Sequence, residues 1–526
     1  MSATSALSIS NLQSVTGDVL VDPLNTTEPH LTTEPLSTSE HCLEGRNTLD
    51  PSDWQSLREQ GHRMLDDMIN HMSQLHEKPV WQPIPQAKRD LFTEPLPHAP
   101  SSLEGAHKRF MEDVLPYSVG NASPGFMGWV QGGGSPVGML AEMLASGLNA
   151  NLGGRDQMPL EVERQILHWM RELFNFPETA SGLFVTGASM ANMISVLVAR
   201  NRMLGQSVRH QGLANSSKKL VAYTSAGAHG CIAQAIDLCG IGTDYLRVIA
   251  LDDHYQMNIV QLKQTIADDR AQGLTPFFIA GSAGTVDVGA IDDLEAIAEI
   301  AADENLWFHI DGAFGAMAML SKKIAPRLKG IERADSIAFD FHKWLQVPYD
   351  AGFIIVRDGA VHHDTFASPA TYLRRETRGL AGGSPWPCDF GPDLSRGFRA
   401  LKTWFTIQVY GTDKLGSIID KTCDLAQYLK TKVEAEFELE MMAPVALNVV
   451  CFRYRGQNNV SAEQLNDANA DIIADLHESG LVAPSATSIN GHIAIRAAMV
   501  NHRIEQRNVD ILVEQVLRLG RLKLVA

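Results

Sequence analysis

From about residue 136 to residue 415, short apolar runs rich in β-branched and aromatic residues alternate with amphipathic helical stretches. This alternation restricts the fold more than any other feature. Parallel strands need long crossover connections, so strands separated by helices build a mostly parallel sheet with helices on both faces. The strand candidates are 183–185, 220–223, 276–280, 306–310, 336–339 and 353–356. A helix that opens at Pro159 repeats Val162, Ile166, Met170 and Leu173 on one face and stops before Pro177. Proline suits the first helical turn, and such a stripe is buried against a core or another subunit.

The flanks read differently. Residues 1–50, rich in Ser, Thr, Asn and Pro, form a disordered tail. Residues 51–135 form an arm, with a helix from Trp54 to about Met72 and a proline-bearing extended stretch over 80–95. Residues 136–415 form the large α/β domain. Residues 416–526 form a small α+β domain, with two long helices around strands at 446–453 and 492–497.

Composition excludes several functions. With 44 Lys and Arg against 61 Asp and Glu, the formal charge is −17 and there is no basic run, so no nucleic-acid partner is expected. No apolar run reaches the roughly 18 residues of a membrane span, and no basic stretch with an apolar core opens the chain. The expectation is no membrane partner and a cytoplasmic location. The six cysteines lack a C-x-x-C pair, and His362-His363-Asp364 lacks a second ligand cluster, so free thiols and no metal site are expected.

Chemistry concentrates where strands end. Phe308-His309-Ile310-Asp311-Gly312-Ala313 places an acid at the C-terminal end of a buried strand, where open α/β sheets bind ligands. One step later, Asp340-Phe341-His342-Lys343-Trp344 puts a lysine between aromatic neighbours. A partly desolvated lysine becomes an amine nucleophile for an aldehyde, and a carboxylate one strand away suits a pyridinium nitrogen. Upstream, Thr186-Gly187-Ala188-Ser189 runs from a strand into a helix, an arrangement that either seats a phosphate or merely turns the chain. His229 follows the next strand and is either catalytic or a packed capping residue.

The ordered set 186–192, Thr224-Ser225 to His229, Ala283-Gly284-Thr285, 309–315 and His342-Lys343-Trp344 resembles the group II pyridoxal phosphate-dependent amino acid decarboxylases, such as the aromatic-L-amino-acid and glutamate decarboxylases. The similarity extends through 398–404 and 448–454 to Arg496 and Asn501-His502-Arg503. It implies the type I, aspartate aminotransferase-like, pyridoxal phosphate-dependent transferase fold, the cofactor pyridoxal 5'-phosphate and a carboxy-lyase activity on an amino acid. By this resemblance Lys343 holds the cofactor as a Schiff base and Asp311 keeps the ring nitrogen protonated. His229 and Ala313 cover the two ring faces, and Gly187, Ala188 and Ser189 bind the phosphate. Thr285 stands beside the ring, and His342 bounds the phosphate end. Tyr372 is the general acid that returns a proton to the α-carbon, and its presence favours simple decarboxylation over oxidative formation of an aldehyde. Residues 51–135 serve dimerisation, and the expected partner is a second copy with shared active sites.

Two departures stand out. The family's Asn-Pro-His-Lys reads Asp340-Phe341-His342-Lys343 here, which puts an acid near the phosphate, unfavourable unless it turns away. In the substrate region only Phe126 and Trp129 bring rings, with Arg155 as a polar candidate. An aromatic substrate stands slightly ahead of an acidic or small polar one. The remaining alternatives are aldehyde formation and an inactive binding scaffold.

Overall fold

A computed structural model describes residues 48–368, 375–456 and 460–524. Residues up to Glu59 and those from Gln60 onward form separate units. In the first, the Asp53 carboxylate accepts the backbone N–H groups of Gln55 and Ser56, which caps the helix Trp54–Ser73. Everything below concerns the second unit.

Its strands, in chain order, are β1 (Phe126–Met127), β2 (Ser181–Val185), β3 (Leu220–Ser225), β4 (Leu246–Ile249), β5 (Thr275–Ser282), β6 (Trp307–Asp311), β7 (Ser336–Asp340) and β8 (Gly352–Val356), followed by β9 (Leu439–Met441), β10 (Val449–Tyr454), β11 (Ala483–Ile489) and β12 (His492–Ala498). A seven-stranded sheet runs β2-β8-β7-β6-β5-β3-β4. From β4 to β7 all neighbours pair in parallel, whereas β8 runs antiparallel to both β7 and β2. Every residue of β3, β6, β7 and β8 is buried, as expected of strands covered on both faces. The register pairs Ser282 with Asp311 and Asp311 with Ala338. The C-terminal ends of β5, β6 and β7 therefore finish together, with carboxylates at two of them.

The strand of this sheet absent from the sequence reading, β4, is an edge strand of four residues with Arg247 partly open. The helix Met158–Phe174 buries Leu160, Ile166, Met170 and Phe174, while Val162 and Leu173 are only half-buried. Its buried face also carries Glu163, whose charge is met by the buried Arg396 at 2.6 Å. Packing has rotated the buried stripe from the predicted one, because a paired carboxylate can take a core position.

The second sheet runs β1-β11-β12-β10-β9 and is antiparallel except for β1 on β11. Phe126 and Met127, far upstream in the chain, thus complete a sheet built from its C-terminal part. The helix Arg399–Ala435 continues across residue 416, with a break at Gly411, where φ is 70°.

Candidate active site

A cavity of about 470 Å³ opens at the C-terminal ends of the large sheet and gathers residues from both sheets. Lys343, Asp311, His229, Thr285, His342, Ala313 and the turn Gly187, Ala188 and Ser189 all line it. These are the residues that the sequence nominates for the cofactor, and the fold brings them together. Trp129 lines it too. Phe126 does not: its ring is buried with Val80 and Ala483, as β1 requires. Arg155 does not either. Its guanidinium lies 4.6 Å from the Trp386 ring centroid, and any side chain at Gly154 would strike that same ring. Tyr372 lies outside the described residues. The stretch after it is anchored, since Trp386 is buried, donates to Gly382 O at 2.7 Å and lies under the Arg375 guanidinium.

Lys343 owes its direction to its neighbours. Phe341 stacks against Phe184 in the core, and the Trp344 indole N–H donates to Thr422 at 3.0 Å. With both flanking rings fixed inside, the lysine between them turns into the cavity, where its Nζ meets Asp340 Oδ2 at 3.1 Å. The backbone of Lys343 is covered by Gly132, where a Cβ would collide with the carbonyl oxygens of His342 and Lys343. That covering loop is tied down by Gln346 and Asn121 and by Arg503, which donates to Gly133 O at 2.9 Å.

Asp311 is held by neutral donors. Its Oδ1 accepts the Ala313 N–H at 3.2 Å, and Oδ2 accepts from Asn192 Nδ2 at 3.3 Å and from the Cys231 thiol at 3.6 Å. Asp311 is acceptor-only, so the Asn192 amide must present its nitrogen there and its oxygen to His309 Nε2, 2.7 Å away. His309 Nδ1 then accepts from Ser336, which also receives the Trp307 indole N–H at 2.8 Å. Burial pushes His309 down to about 4 and the Cys231 thiol up to about 12. Both are neutral near pH 7, and the chain behind the carboxylate carries no competing charge.

The helix Ala188–Leu204 has Gly187 at its N-cap and no side-chain cap. Its opening amide groups and partial positive charge are left for an anion. His229 Nδ1 accepts the Cys231 N–H at 3.1 Å, so a neutral ring carries its proton on Nε2. Thr285 Oγ1 likewise accepts a backbone N–H, from Ala290 at 2.9 Å, which leaves its hydroxyl proton to donate. The amine, the carboxylate and the anion seat match the aldehyde, ring nitrogen and phosphate of pyridoxal phosphate.

A model of the pyridoxal-dependent decarboxylase conserved domain matches residues 85–455. The chain belongs to this decarboxylase family. It is 31% identical to an aromatic-L-amino-acid decarboxylase of Bacillus atrophaeus over 454 residues, 85% of this chain and 92% of that one. A histidine decarboxylase of Drosophila melanogaster is 31% identical over 79% of this chain and 50% of its own length. The crystal structure of Oryza sativa TDC with PLP and tryptamine superposes with a TM-score of 0.82 at 23% identity, covering 90% of this chain and 99% of that one. Mouse CSAD gives 0.83 at 23%, over 89% and 99%. This decarboxylase therefore has the type I pyridoxal phosphate-dependent transferase fold, uses pyridoxal 5'-phosphate and is a carboxy-lyase of amino acids.

Among the residues at the cavity wall that sequence reasoning did not nominate are Cys231, Phe314, Tyr349 and Arg496. Arg496 comes from β12 of the second sheet and is buried, donating to Val286 O, Asp287 O and Ser485 Oγ. Its place in the motif was visible, but nothing local says which cavity a strand of another sheet will reach. Among the described residues no helix is long and apolar enough to cross a membrane. His362 lies in the core, with Nδ1 2.8 Å from Ser181 Oγ.

Proposed function

We propose that the chain converts an L-amino acid to its amine and carbon dioxide by simple decarboxylation, with aromatic substrates ahead of acidic or small polar ones. The observation that carries this reading is the convergence of Lys343, Asp311 and the uncapped helix start at Gly187 on one cavity. When bound, the cofactor supplies a conjugated ring that accepts the electron pair left behind as carbon dioxide departs.

The chain's own residues do the rest. Lys343 provides the amine that holds the aldehyde and gives it up to the substrate's amine. Asp311, with both oxygens already fixed, holds the proton on the ring nitrogen without reorganising as charge develops. Gly187, Ala188 and Ser189 seat the phosphate, and His342 bounds that end. Ala313 and His229 cover the ring faces, and His229 Nε2 also offers a proton toward the substrate carboxylate. Arg496 has neutral oxygens as its hydrogen-bond partners, so its charge is available to a carboxylate of the substrate. Trp129, Phe314 and Tyr349 offer ring surfaces to an aromatic side chain. Tyr372 keeps the role given by the resemblance, proton return to the α-carbon.

A homodimer with shared sites completes the proposal. Leu140, Met143, Leu144 and Leu148 are exposed on the helix Pro136–Leu148, one turn apart in pairs, and Trp129 and Met158 are exposed as well. An apolar helix face of this kind marks an interaction surface.

The test is carbon dioxide and amine release from every proteinogenic amino acid plus dopa, diaminobutyrate and cysteine sulfinate, with Lys343→Ala as control. Release from an aromatic substrate, lost in the variant, supports the reading. Oxygen uptake with aldehyde formation points to the oxidative alternative, and bound cofactor without any carbon dioxide points to the scaffold.

A further inference from the structure

We infer that Asp340, paired with the Lys343 nitrogen through one carboxylate oxygen, opposes the cofactor's phosphate with the other, so that it sets the rate at which cofactor leaves. The inference rests on the cofactor reading above and concerns the position where this chain carries an acid in place of an amide.

Asp340 closes β7 and is buried. Its Oδ2 lies 3.1 Å from Lys343 Nζ and 3.6 Å from His342 Nε2. His342 Nδ1 accepts the Ala351 N–H at 3.0 Å, and burial holds this imidazole below its ordinary range. It is therefore neutral near pH 7, and its Nε2 stands beyond a normal hydrogen bond from the carboxylate. Tyr349 covers the His342 ring at 4.3 Å and is pushed up to about 12, by burial first and then by Asp340. It adds no charge. Asp350 is taken by Arg399 at 2.7 Å. Of the other groups that face the cavity, Asp311 is committed to Asn192 and Cys231, the Cys231 thiol is neutral, and Arg496 is bound to oxygens of 286, 287 and 485. His229 gives its Nδ1 to the Cys231 N–H. Among the described residues Lys343 is thus the one lysine or arginine within ion-pair distance of Asp340.

The two oxygens are placed differently. Oδ2 is held by the Lys343 nitrogen at 3.1 Å, which fixes the carboxylate in place. The other oxygen, Oδ1, is buried and has no hydrogen-bond partner. It lies 3.8 Å from the point a Cβ on Gly187 would occupy, beside the uncapped helix start that seats the phosphate. The acid is not turned away from that end. An amide of the same shape would offer an N–H there, where the carboxylate offers a second negative oxygen.

The experiment compares cofactor-loaded wild-type protein with Asp340→Asn and Asp340→Ala. Cofactor loss is timed after gel filtration from the fall in the visible absorbance of the bound cofactor. The expected result is cofactor lost roughly tenfold more slowly from Asp340→Asn than from wild type, the effect of one hydrogen bond to a charged group, with Asp340→Ala, which removes the charge but offers no N–H, between the two. A purely structural role predicts faster loss from both variants, and that result overturns the inference. Equal loss from wild type and Asp340→Asn overturns it as well. Wild-type protein that takes up no cofactor overturns the reading on which the inference stands.

Discussion

Asp311 and Asp340 end adjacent strands of one sheet, both buried, yet the fold treats them in opposite ways. Asp311 has both oxygens engaged by neutral donors, with Asn192, His309 and Ser336 behind it. Asp340 has one oxygen on a lysine and the other on nothing. The difference comes from which residue of the helix Ala188–Leu204 and its cap meets each strand end. Asn192 reaches Asp311, whereas Asp340 Oδ1 faces Gly187, which has no side chain to offer it. A fully satisfied polar network is rigid and keeps its geometry whatever binds. A half-satisfied carboxylate waits on its ligand.

Several measurements would break or sharpen this contrast. Lys343→Ala removes the group that Asp340 pairs with and that we propose holds the cofactor, and turnover should fall on the order of 10⁴- to 10⁶-fold; residual activity near wild type in a carbon dioxide assay would refute its role. Asp311→Asn should lower kcat by about 10²- to 10³-fold, the size of one preorganised electrostatic contact. Its cofactor should leave no more slowly than from wild type, unlike that of Asp340→Asn, and equally slowed loss from the two variants would erase the distinction. Asn192→Ala leaves Asp311 Oδ2 and the His309 Nε2 proton short of a partner. Urea denaturation should register a loss of about 1–3 kcal/mol.

The smallest expected effect is on stability against pH. Burial pushes His309 and His502 down to about 4 and His362 to about 3, from an ordinary 6.5. The unfolded chain takes up these protons below about pH 6.5 while the native state refuses them, so this stability is present above 6.5 and is lost as pH falls toward 4. Asp292, buried and raised to about 6 from 3.8, acts in the opposite sense over the same window and cancels one of the three. The net slope remains positive, at roughly 1.4 kcal/mol per pH unit for each net proton. Thermal melting between pH 4.5 and 7 should show Tm falling with acid, and more steeply once Asp292→Asn removes the opposing group's titration. A flat profile would mean that these histidines are not held neutral.

Much of this was legible beforehand. The βα alternation gave strand positions within a few residues, because strands buried on both faces are continuous apolar runs. Asp311 and Lys343 were legible because an acid and a lysine follow successive buried strands, an arrangement with bland explanations of its own that became specific only with the ordered set of motifs around it. The edge strand β4 and the serine- and alanine-rich β11 were not, since neither is a continuous apolar run. Phe126 and Arg155 were nominated for the cavity because they lie near Trp129 and the pocket segment in sequence. The fold spends Phe126 on the seam with β11 and Arg155 on the face of Trp386.

By itself the sequence determined the class of the large sheet, the residues available to hold the cofactor and the family to which they belong. Those depend on periodicity and on chemistry carried by short segments, which survive without knowledge of any distant neighbour. Tertiary structure alone decided which buried acid is saturated and which is left with a bare oxygen, and that Arg496 of the second sheet reaches the first sheet's cavity. Hydrogen-bond satisfaction is a property of groups that meet in space from far apart in the chain, Asn192 and Asp311 or Asp287 and Arg496, and no local pattern records those meetings.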